Sequence, residues 1–212
     1  AVGLAWPRPN GLRLVYLGCI ASCSAVALAA IAALLSGQVT WSTVLPLGLP
    51  WLGSHLRIDA LSAFFLVVAN GLAAVASLFA LGYAPHDAEP ARVTPLYPLF
   101  LAAMNLVVIA DDAFTFLFAW EFMSFASWLL VLSKHRERGT DHAAFVYLVM
   151  AGFGTATLLL AFGLLAGPEG GYDFASMRSD DMRTPLISVL IVALSLIGAG
   201  SKAGLVPLHV WL

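Results

Sequence analysis

The stretch that decides the fold is residues 185–212, which read Pro-Leu-Ile-Ser-Val-Leu-Ile-Val-Ala-Leu-Ser-Leu-Ile-Gly-Ala-Gly-Ser-Lys-Ala-Gly-Leu-Val-Pro-Leu-His-Val-Trp-Leu. It is mostly apolar and longer than the ~20 residues that a helix needs to cross the hydrocarbon core of a bilayer. Lys202 is its one charged side chain, and apolar sequence continues on both sides of it. The stretch therefore predicts a membrane-spanning helix that carries a cation at membrane depth.

The composition of the whole chain agrees with a membrane environment. Of its 212 residues, 61% are hydrophobic and only 10% are charged, against about 25% charged residues in a typical soluble domain. A soluble domain of this length has too little interior to bury so much apolar surface. We therefore expect a polytopic, all-α membrane protein, because a backbone surrounded by lipid must satisfy its own hydrogen bonds.

Hydropathy divides the chain into six predicted spans within a single transmembrane domain. We expect this domain to be part of a larger protein, since the sequence begins without Met and stops inside an apolar segment. The spans are placed at about 12–35, 60–83, 94–110, 113–133, 143–166 and 185–212.

Loop charges predict the orientation of these spans. Six basic residues fall in one set of loops and three in the opposite set, and the positive-inside rule places the richer set in the cytoplasm. The N-terminus of this segment is then cytoplasmic. The richer set is Arg8, Arg13, Arg92, Lys134, Arg136 and Arg138, and the poorer set is Arg57, Arg178 and Arg183.

Two ionisable residues stand out because they lie in apolar sequence. Glu121 lies near the middle of the fourth span, and Lys202 lies deep in the sixth, ~25 Å from Pro185 if the helix is continuous. Burial disfavours the charged form of either group, so both are candidates for loading and releasing protons. Two alternatives remain open: a neutral structural Glu121, and a Lys202 that extends to the membrane surface.

The sequence around Lys202 predicts a broken helix. Pro207 lacks the amide hydrogen that the helix needs, and Gly200 and Gly204 weaken it further. Broken helices at membrane depth usually line a watery cavity or an ion path; close packing by small residues is the alternative. His209 follows Pro207 and is retained as a possible proton relay.

No cofactor or metal site is expected in this chain. Cys19 and Cys23 are its two cysteines, too few for an iron–sulfur cluster, and we interpret them as packing residues. No dinucleotide-binding fingerprint or pair of facing histidines for haem is present. The charge of −2, with scattered basic residues, also argues against nucleic-acid binding. Gly152/Ala156 and Gly163/Gly167 are predicted to mediate helix contacts.

Two motifs carry a family resemblance. Trp120-Glu-Phe-Met-Ser-Phe-Ala-Ser-Trp-Leu-Leu-Val and Gly198-Ala-Gly-Ser-Lys-Ala-Gly-Leu-Val-Pro-Leu-His-Val-Trp-Leu resemble the antiporter-like membrane subunits of respiratory complex I and its relatives, and Arg57-Ile-Asp-Ala-Leu-Ser-Ala-Phe-Phe is a weaker match. The motifs are most similar to component B of hydrogenase-4 or the equivalent formate hydrogenlyase subunit, followed by Mrp antiporter and complex I subunits.

The resemblance implies a larger protein of about fourteen helices in two inverted repeats, of which this chain is an N-terminal part. It also implies coupled proton transfer by Glu121 and Lys202, with Glu121 as the partner of Lys202 directly or through water. One departure concerns the fifth span, where many relatives carry an ionisable residue. Here only Tyr147, Thr155 and Thr157 are polar between His142 and Glu169, which argues against a lateral relay through this helix or leaves that relay to water.

We therefore expect a proton-translocating subunit of a hydrogenase-4-like or complex I-like oxidoreductase complex. Its location would be the plasma membrane of a prokaryote. Redox centres would belong to other membrane and peripheral subunits, and the ions carried would be protons, with sodium as a second possibility. An Mrp-type cation/proton antiporter subunit and a structural membrane scaffold are the two alternatives.

Overall fold

The protein is described by a computed structural model that covers residues 9–37, 40–83, 90–133, 139–168, 170–179 and 184–211. Six helices in these ranges are long and apolar enough to cross a membrane. The predicted helical membrane architecture is therefore confirmed. The long helices are α1 (Pro9–Ser36), α2 (Ala60–Tyr83), α3 (Pro90–Ile109), α4 (Ala113–Leu132), α5 (Thr140–Ala166) and α7 (Pro185–Ala203), and α6 (Phe174–Ser179) is a short helix before the last of them.

The last helix ends inside the span that the sequence predicts for it. That span is placed at about 185–212 with a break near Lys202, and α7 ends at Ala203, with turns in residues 204–211. The basic residues at 134, 136 and 138, on which the predicted orientation depends most, lie outside the described residues.

Most of the contact between helices is made by four pairs of long helices. α1 lies against α2, α3 against α4, α4 against α5, and α5 against α7. Fully buried alanines such as Ala119 and Ala161 allow close approach, while large apolar side chains such as Phe118 and Val189 are exposed. Small residues between helices and large apolar residues outside are typical of a bundle whose outer surface faces lipid.

A short β-hairpin, which the all-α prediction did not include, connects α1 to α2. Strands β1 (Trp41–Leu45) and β2 (Ser54–Ile58) are antiparallel, with Trp41 opposite Ile58. Gly53, directly before β2, has φ 72°, and a Cβ atom there would lie 2.9 Å from the Leu45 carbonyl oxygen. The prediction missed the hairpin because its strands are too short to produce a hydropathy signal, although their β-branched residues favour strands.

A polar network joins this hairpin to the turn between α3 and α4. Asp112 is fully buried and accepts hydrogen bonds from the backbone N–H groups of His55 and Thr115, at 2.8 and 2.7 Å. Arg57 forms ion pairs with Asp111 and Asp59, both at 2.8 Å. The Arg57 side chain therefore ties the hairpin to the α3–α4 turn.

Two glycines set the contact between α5 and α7. A Cβ atom on Gly198 would lie 2.9 Å from the Gly154 carbonyl oxygen, and one on Gly154 would lie 3.0 Å from the Gly198 carbonyl oxygen. Gly152 and Gly163, which the sequence predicts as contact residues, have no such contact within the described residues, since nothing lies within 4 Å of a Cβ atom at either position. The missing side chains at Gly154 and Gly198 bring the two backbones together, and this places Lys202, one turn further along α7, near α5.

Candidate proton-transfer site

Helix α4 supplies the acidic side of the site. Glu121 is the ninth of the twenty residues of α4, and its side chain is half-buried between helices. Ser124, three residues further on, shares its face of the helix and is buried. The Ser124 hydroxyl donates to the Trp120 carbonyl oxygen at 2.8 Å, so the lone pairs of its oxygen remain available to another donor.

Lys202 of α7 is held by neutral oxygens. Its Nζ donates to the Ser124 hydroxyl at 2.6 Å and to the Tyr147 hydroxyl at 2.8 Å. The same nitrogen lies 5.1 Å from the centroid of the Tyr147 ring and 5.7 Å from that of Trp120, within the range of cation–π attraction. Among the residues that the structure describes, no carboxylate pairs with this ammonium group, which is accommodated by hydroxyls and ring faces.

Glu121 has its own partner on α5. The Thr155 hydroxyl donates to Glu121 Oε1, and the same oxygen of Thr155 lies 3.2 Å from the Ala151 carbonyl oxygen. Tyr147 and Thr155 are eight residues apart on α5, about 12 Å along the helix axis. Helix α5 therefore contacts both ionisable residues, each through one hydroxyl group.

No direct contact joins Lys202 to Glu121, although a direct pairing is one of the two forms, direct or through water, that the sequence leaves open. Within the described residues, the ion pairs are those of Arg57 with Asp59 and Asp111, and no hydrogen bond joins Lys202 to Glu121. Lys202 bonds instead to the Ser124 and Tyr147 hydroxyls, and Glu121 accepts from the Thr155 hydroxyl. The structure thus shows the pair in a separated arrangement.

The end of α7 is organised by Gly204 rather than by Pro207. Gly204 has φ 73°, a left-handed conformation that suits glycine at a helix end. The Leu205 N–H donates to the Gly200 carbonyl oxygen at 2.9 Å, and a Cβ atom on Gly200 would lie 2.9 Å from Leu205 Cδ1. The helix therefore ends before Pro207, which lies in the turns that follow.

Trp211 folds these turns back onto the site. Its indole N–H donates to the Ser201 carbonyl oxygen at 2.6 Å, and its ring packs edge-on against Tyr147 with centroids 5.3 Å apart. One of the carbonyls near the break is thereby satisfied inside the chain. His209 is exposed, and in the described part of the chain no hydrogen bond joins it to Lys202 or Glu121.

Sequence reasoning identified the two ionisable residues but missed the hydroxyl groups that contact them. Tyr147 and Thr155 were visible as polar residues of an apolar helix, whereas nothing in the sequence distinguished them from Thr157. Thr157 donates to the carbonyl oxygens of Phe153 and Gly154 on its own helix. The distinction depends on which face of α5 meets α4 and α7.

Comparisons with known proteins support the family resemblance. Residues 110–212 match the transmembrane family described as NADH:quinone oxidoreductase/Mrp antiporter. A Mycobacterium tuberculosis protein described as uncharacterised is 38% identical over 166 residues, covering 77% of this chain and 25% of that protein. Hydrogenase-4 component B of Escherichia coli is 35% identical over 159 residues, covering 74% of this chain and 23% of that protein.

The fold is shared with a solved structure. A chain in the structure of the Mrp complex from Dietzia matches with a TM-score of 0.75 at 23% identity, covering 95% of this chain and 38% of that chain. The resemblance read from the motifs is confirmed, and the chain is related to the antiporter-like membrane subunits of oxidoreductase and antiporter complexes. It spans about a quarter of the length of the curated relatives it matches.

Proposed function

We propose that this chain is the proton-translocating region of an antiporter-like membrane subunit, in which Lys202 and Glu121 load and release protons. The observation that carries the proposal is the binding of the Lys202 ammonium by the Ser124 and Tyr147 hydroxyls instead of by a carboxylate. A paired carboxylate would stabilise the charged lysine strongly. Neutral oxygens and ring faces hold the ammonium less firmly, so the proton can be released.

Glu121 would control that release by its charge. A carboxylate near Lys202 favours the ammonium, and its neutralisation or withdrawal favours the neutral amine. Such control requires the two groups to be close but not permanently paired. The separated arrangement, with Glu121 bonded to Thr155, supports this requirement. His209 would serve only as a relay toward the surface, since it is exposed.

The partners would be other membrane and peripheral subunits of a hydrogenase-4-like oxidoreductase complex, a choice supported by the similarity to hydrogenase-4 component B. Redox chemistry would take place in those partners, and this chain would couple it to proton movement. We infer a location in the plasma membrane of a prokaryote, with the start of α1 on the cytoplasmic side.

An Mrp-type cation/proton antiporter is the second candidate, because the matched family includes Mrp subunits. The two differ in what drives transport. Vesicles that contain the intact complex should move protons on addition of its electron donor if the first candidate is correct. Proton movement driven by a sodium gradient, without an electron donor, would favour the second.

The role of the two residues is tested by proton flux in these vesicles. Glu121→Gln and Lys202→Met should each abolish most of the flux while the complex still assembles, and Glu121→Asp should retain part of it. Asp141→Asn is the matched control, because Asp141 is exposed at the start of α5 and should tolerate neutralisation. Wild-type flux in both Glu121→Gln and Lys202→Met would instead indicate a structural scaffold.

A further inference from the structure

Helix α5 carries no charged side chain within the bundle, yet it contacts both ionisable residues of the site. Tyr147 is buried and accepts a hydrogen bond from Lys202, and Thr155 donates one to Glu121. The other hydroxyl in this part of the helix, that of Thr157, bonds to carbonyls of its own helix. Two of the three polar residues between His142 and the end of this helix thus contact the site, one for each ionisable group.

Hydroxyl groups have a property that suits this position. A hydroxyl carries one hydrogen to donate and two lone pairs that can accept. It can therefore bond to a partner that has a proton and, after rotating its own hydrogen, to the same partner without that proton. A carboxylate has no hydrogen to donate and an ammonium has no lone pair to accept, so neither could reverse its bond in this way.

The geometry at Thr155 shows both arrangements within reach. Its oxygen contacts Glu121 Oε1 and also lies 3.2 Å from the Ala151 carbonyl oxygen, but it has a single hydrogen. With Glu121 ionised, that hydrogen points to Oε1. With Glu121 protonated, the carboxyl O–H can donate to Thr155, whose hydrogen then turns to Ala151.

The Tyr147 hydroxyl can likewise bond to Lys202 in either protonation state. Its oxygen accepts from the ammonium at 2.8 Å, and after Lys202 releases a proton the phenol O–H can donate to the lone pair of Nζ. The Trp211 ring packs against the Tyr147 ring at an interplanar angle of 76° and helps to fix its orientation. The phenol thereby stays aligned with Nζ in either state.

We propose that Tyr147 and Thr155 are positioning residues that hold Lys202 and Glu121 apart and remain hydrogen-bonded to them in both protonation states. Each hydroxyl keeps its own proton and only changes the direction in which it donates. The transferred protons pass through Lys202 and Glu121 themselves. This inference rests on the proposed function, since it explains how that site can change protonation without leaving a buried polar group unsatisfied.

The test uses proton flux in vesicles that contain the complete complex. Tyr147→Phe keeps the ring and removes the hydroxyl, and Thr155→Val keeps the shape and removes the hydroxyl. Each should reduce the flux about tenfold, since one hydrogen bond to a charged group is lost. Thr155→Ser restores a hydroxyl and should recover most of the flux.

Two controls separate this role from helix packing. Thr157→Val removes a hydroxyl from the same helix, and Tyr97→Phe removes one that bonds to Ser77 and the Ala73 carbonyl between α2 and α3. Both should transport at close to the wild-type rate. Loss of flux in Thr157→Val equal to that in Thr155→Val would overturn the proposal, because packing alone would then explain the effect.

A spectroscopic signature tests the bond itself. The infrared carboxyl band of Glu121 is identified by its loss in Glu121→Gln. It should shift in Thr155→Val and return in Thr155→Ser. An unchanged band in Thr155→Val, together with wild-type flux in Thr155→Val and Tyr147→Phe, would refute the positioning role. If Lys202→Met still loses flux in that case, the proposed function stands without it. Wild-type flux in Lys202→Met and Glu121→Gln would refute both.

Discussion

At the residue scale, Asp112 anchors the hairpin to the helical bundle. Its carboxylate is fully buried and accepts from the His55 and Thr115 backbone N–H groups. Asp112→Ala leaves both donors without a partner, and we expect it to lower the free energy of unfolding by about 2 kcal/mol or more. Thermal unfolding of the detergent-solubilised subunit measures the loss.

Asp112→Asn provides a graded comparison, because the amide retains one acceptor oxygen. Its loss of stability should be smaller than that of Asp112→Ala. Asp141→Asn, at an exposed position, should leave the unfolding temperature unchanged. Equal stability of Asp112→Ala and the wild type would show that the hairpin is held by other contacts.

Asp173 makes the stability of the segment before α6 depend on pH. Hydrogen bonds from the Ser176 hydroxyl and N–H lower the pKa of Asp173 from its ordinary value of 3.8. A lowered pKa in the folded state means that the stabilisation is complete above 3.8 and is lost as the pH falls through the lower value. Asp173→Ala should therefore be less stable than the wild type at pH 7.

The unfolding temperatures of Asp173→Ala and the wild type, measured from pH 7 down to pH 3, check this sign. We expect the difference between them to narrow below pH 3.8. A difference that grows on acidification would contradict the assigned hydrogen bonds.

The sequence identifies Glu121 and Lys202 because charge in an apolar run is costly and therefore informative. It does not identify Ser124, because serine hydroxyls in apolar helices commonly donate a hydrogen bond to a carbonyl oxygen of their own helix. Ser124 and Ser127, for example, both donate to a carbonyl of their own helix, yet only Ser124 also accepts from Lys202. That difference arises from the packing of α7, which no local pattern specifies.

At the element scale, the close contact of α5 with α7 positions Lys202. A Cβ atom on Gly154 would meet the Ser201 hydroxyl and lie 3.0 Å from the Gly198 carbonyl oxygen. Gly154→Ala should therefore push α7 away from α5, destabilise the subunit and reduce proton flux. The unfolding temperature and the flux of the reconstituted complex measure these two effects.

Gly152→Ala is the matched control on the same helix. Gly152 faces open space, and alanine favours a helix over glycine by about 1 kcal/mol. We expect Gly152→Ala to be as stable as the wild type or slightly more stable, with normal flux. If the two variants behave alike, the separation of the helices does not control the site.

The end of α7 shows what an element pattern can and cannot predict. The glycines and Pro207 correctly predict a break near Lys202, but the missing N–H of Pro207 does not determine where the helix ends. The chain leaves the helix earlier, at Gly204, because the Leu205 N–H bonds to the Gly200 carbonyl oxygen. Gly204 and Pro207 can both end a helix, and the composition alone does not show which of them does so. The left-handed conformation of Gly204 decides it in the folded chain.

At the scale of the whole molecule, the spans were predictable because the thickness of a bilayer fixes the length of an apolar helix. The hairpin between α1 and α2 obeys no such constraint. Its ties to the bundle come from residues far apart in the chain, such as the pair of Arg57 and Asp111. A hydropathy reading treats these residues as loop charges and therefore misses their structural role.

The proposed orientation predicts which positions can be labelled from each side. His142 lies at the start of α5 and Ala175 lies in α6, and both are exposed. In a background without Cys19 and Cys23, a membrane-impermeant thiol reagent should label His142→Cys only from the cytoplasm and Ala175→Cys only from outside. The reversed pattern would show that the loop charges were misread.

The most direct measurement of the central claim is the proton flux of Lys202→Arg in vesicles that contain the complete complex. Arginine keeps the positive charge and can still donate to Ser124 and Tyr147, but it does not release its proton in proteins. If Lys202 loads and releases protons, assembly should be normal and the flux should fall to the level of Lys202→Met. Wild-type flux in Lys202→Arg would contradict proton transfer through this residue.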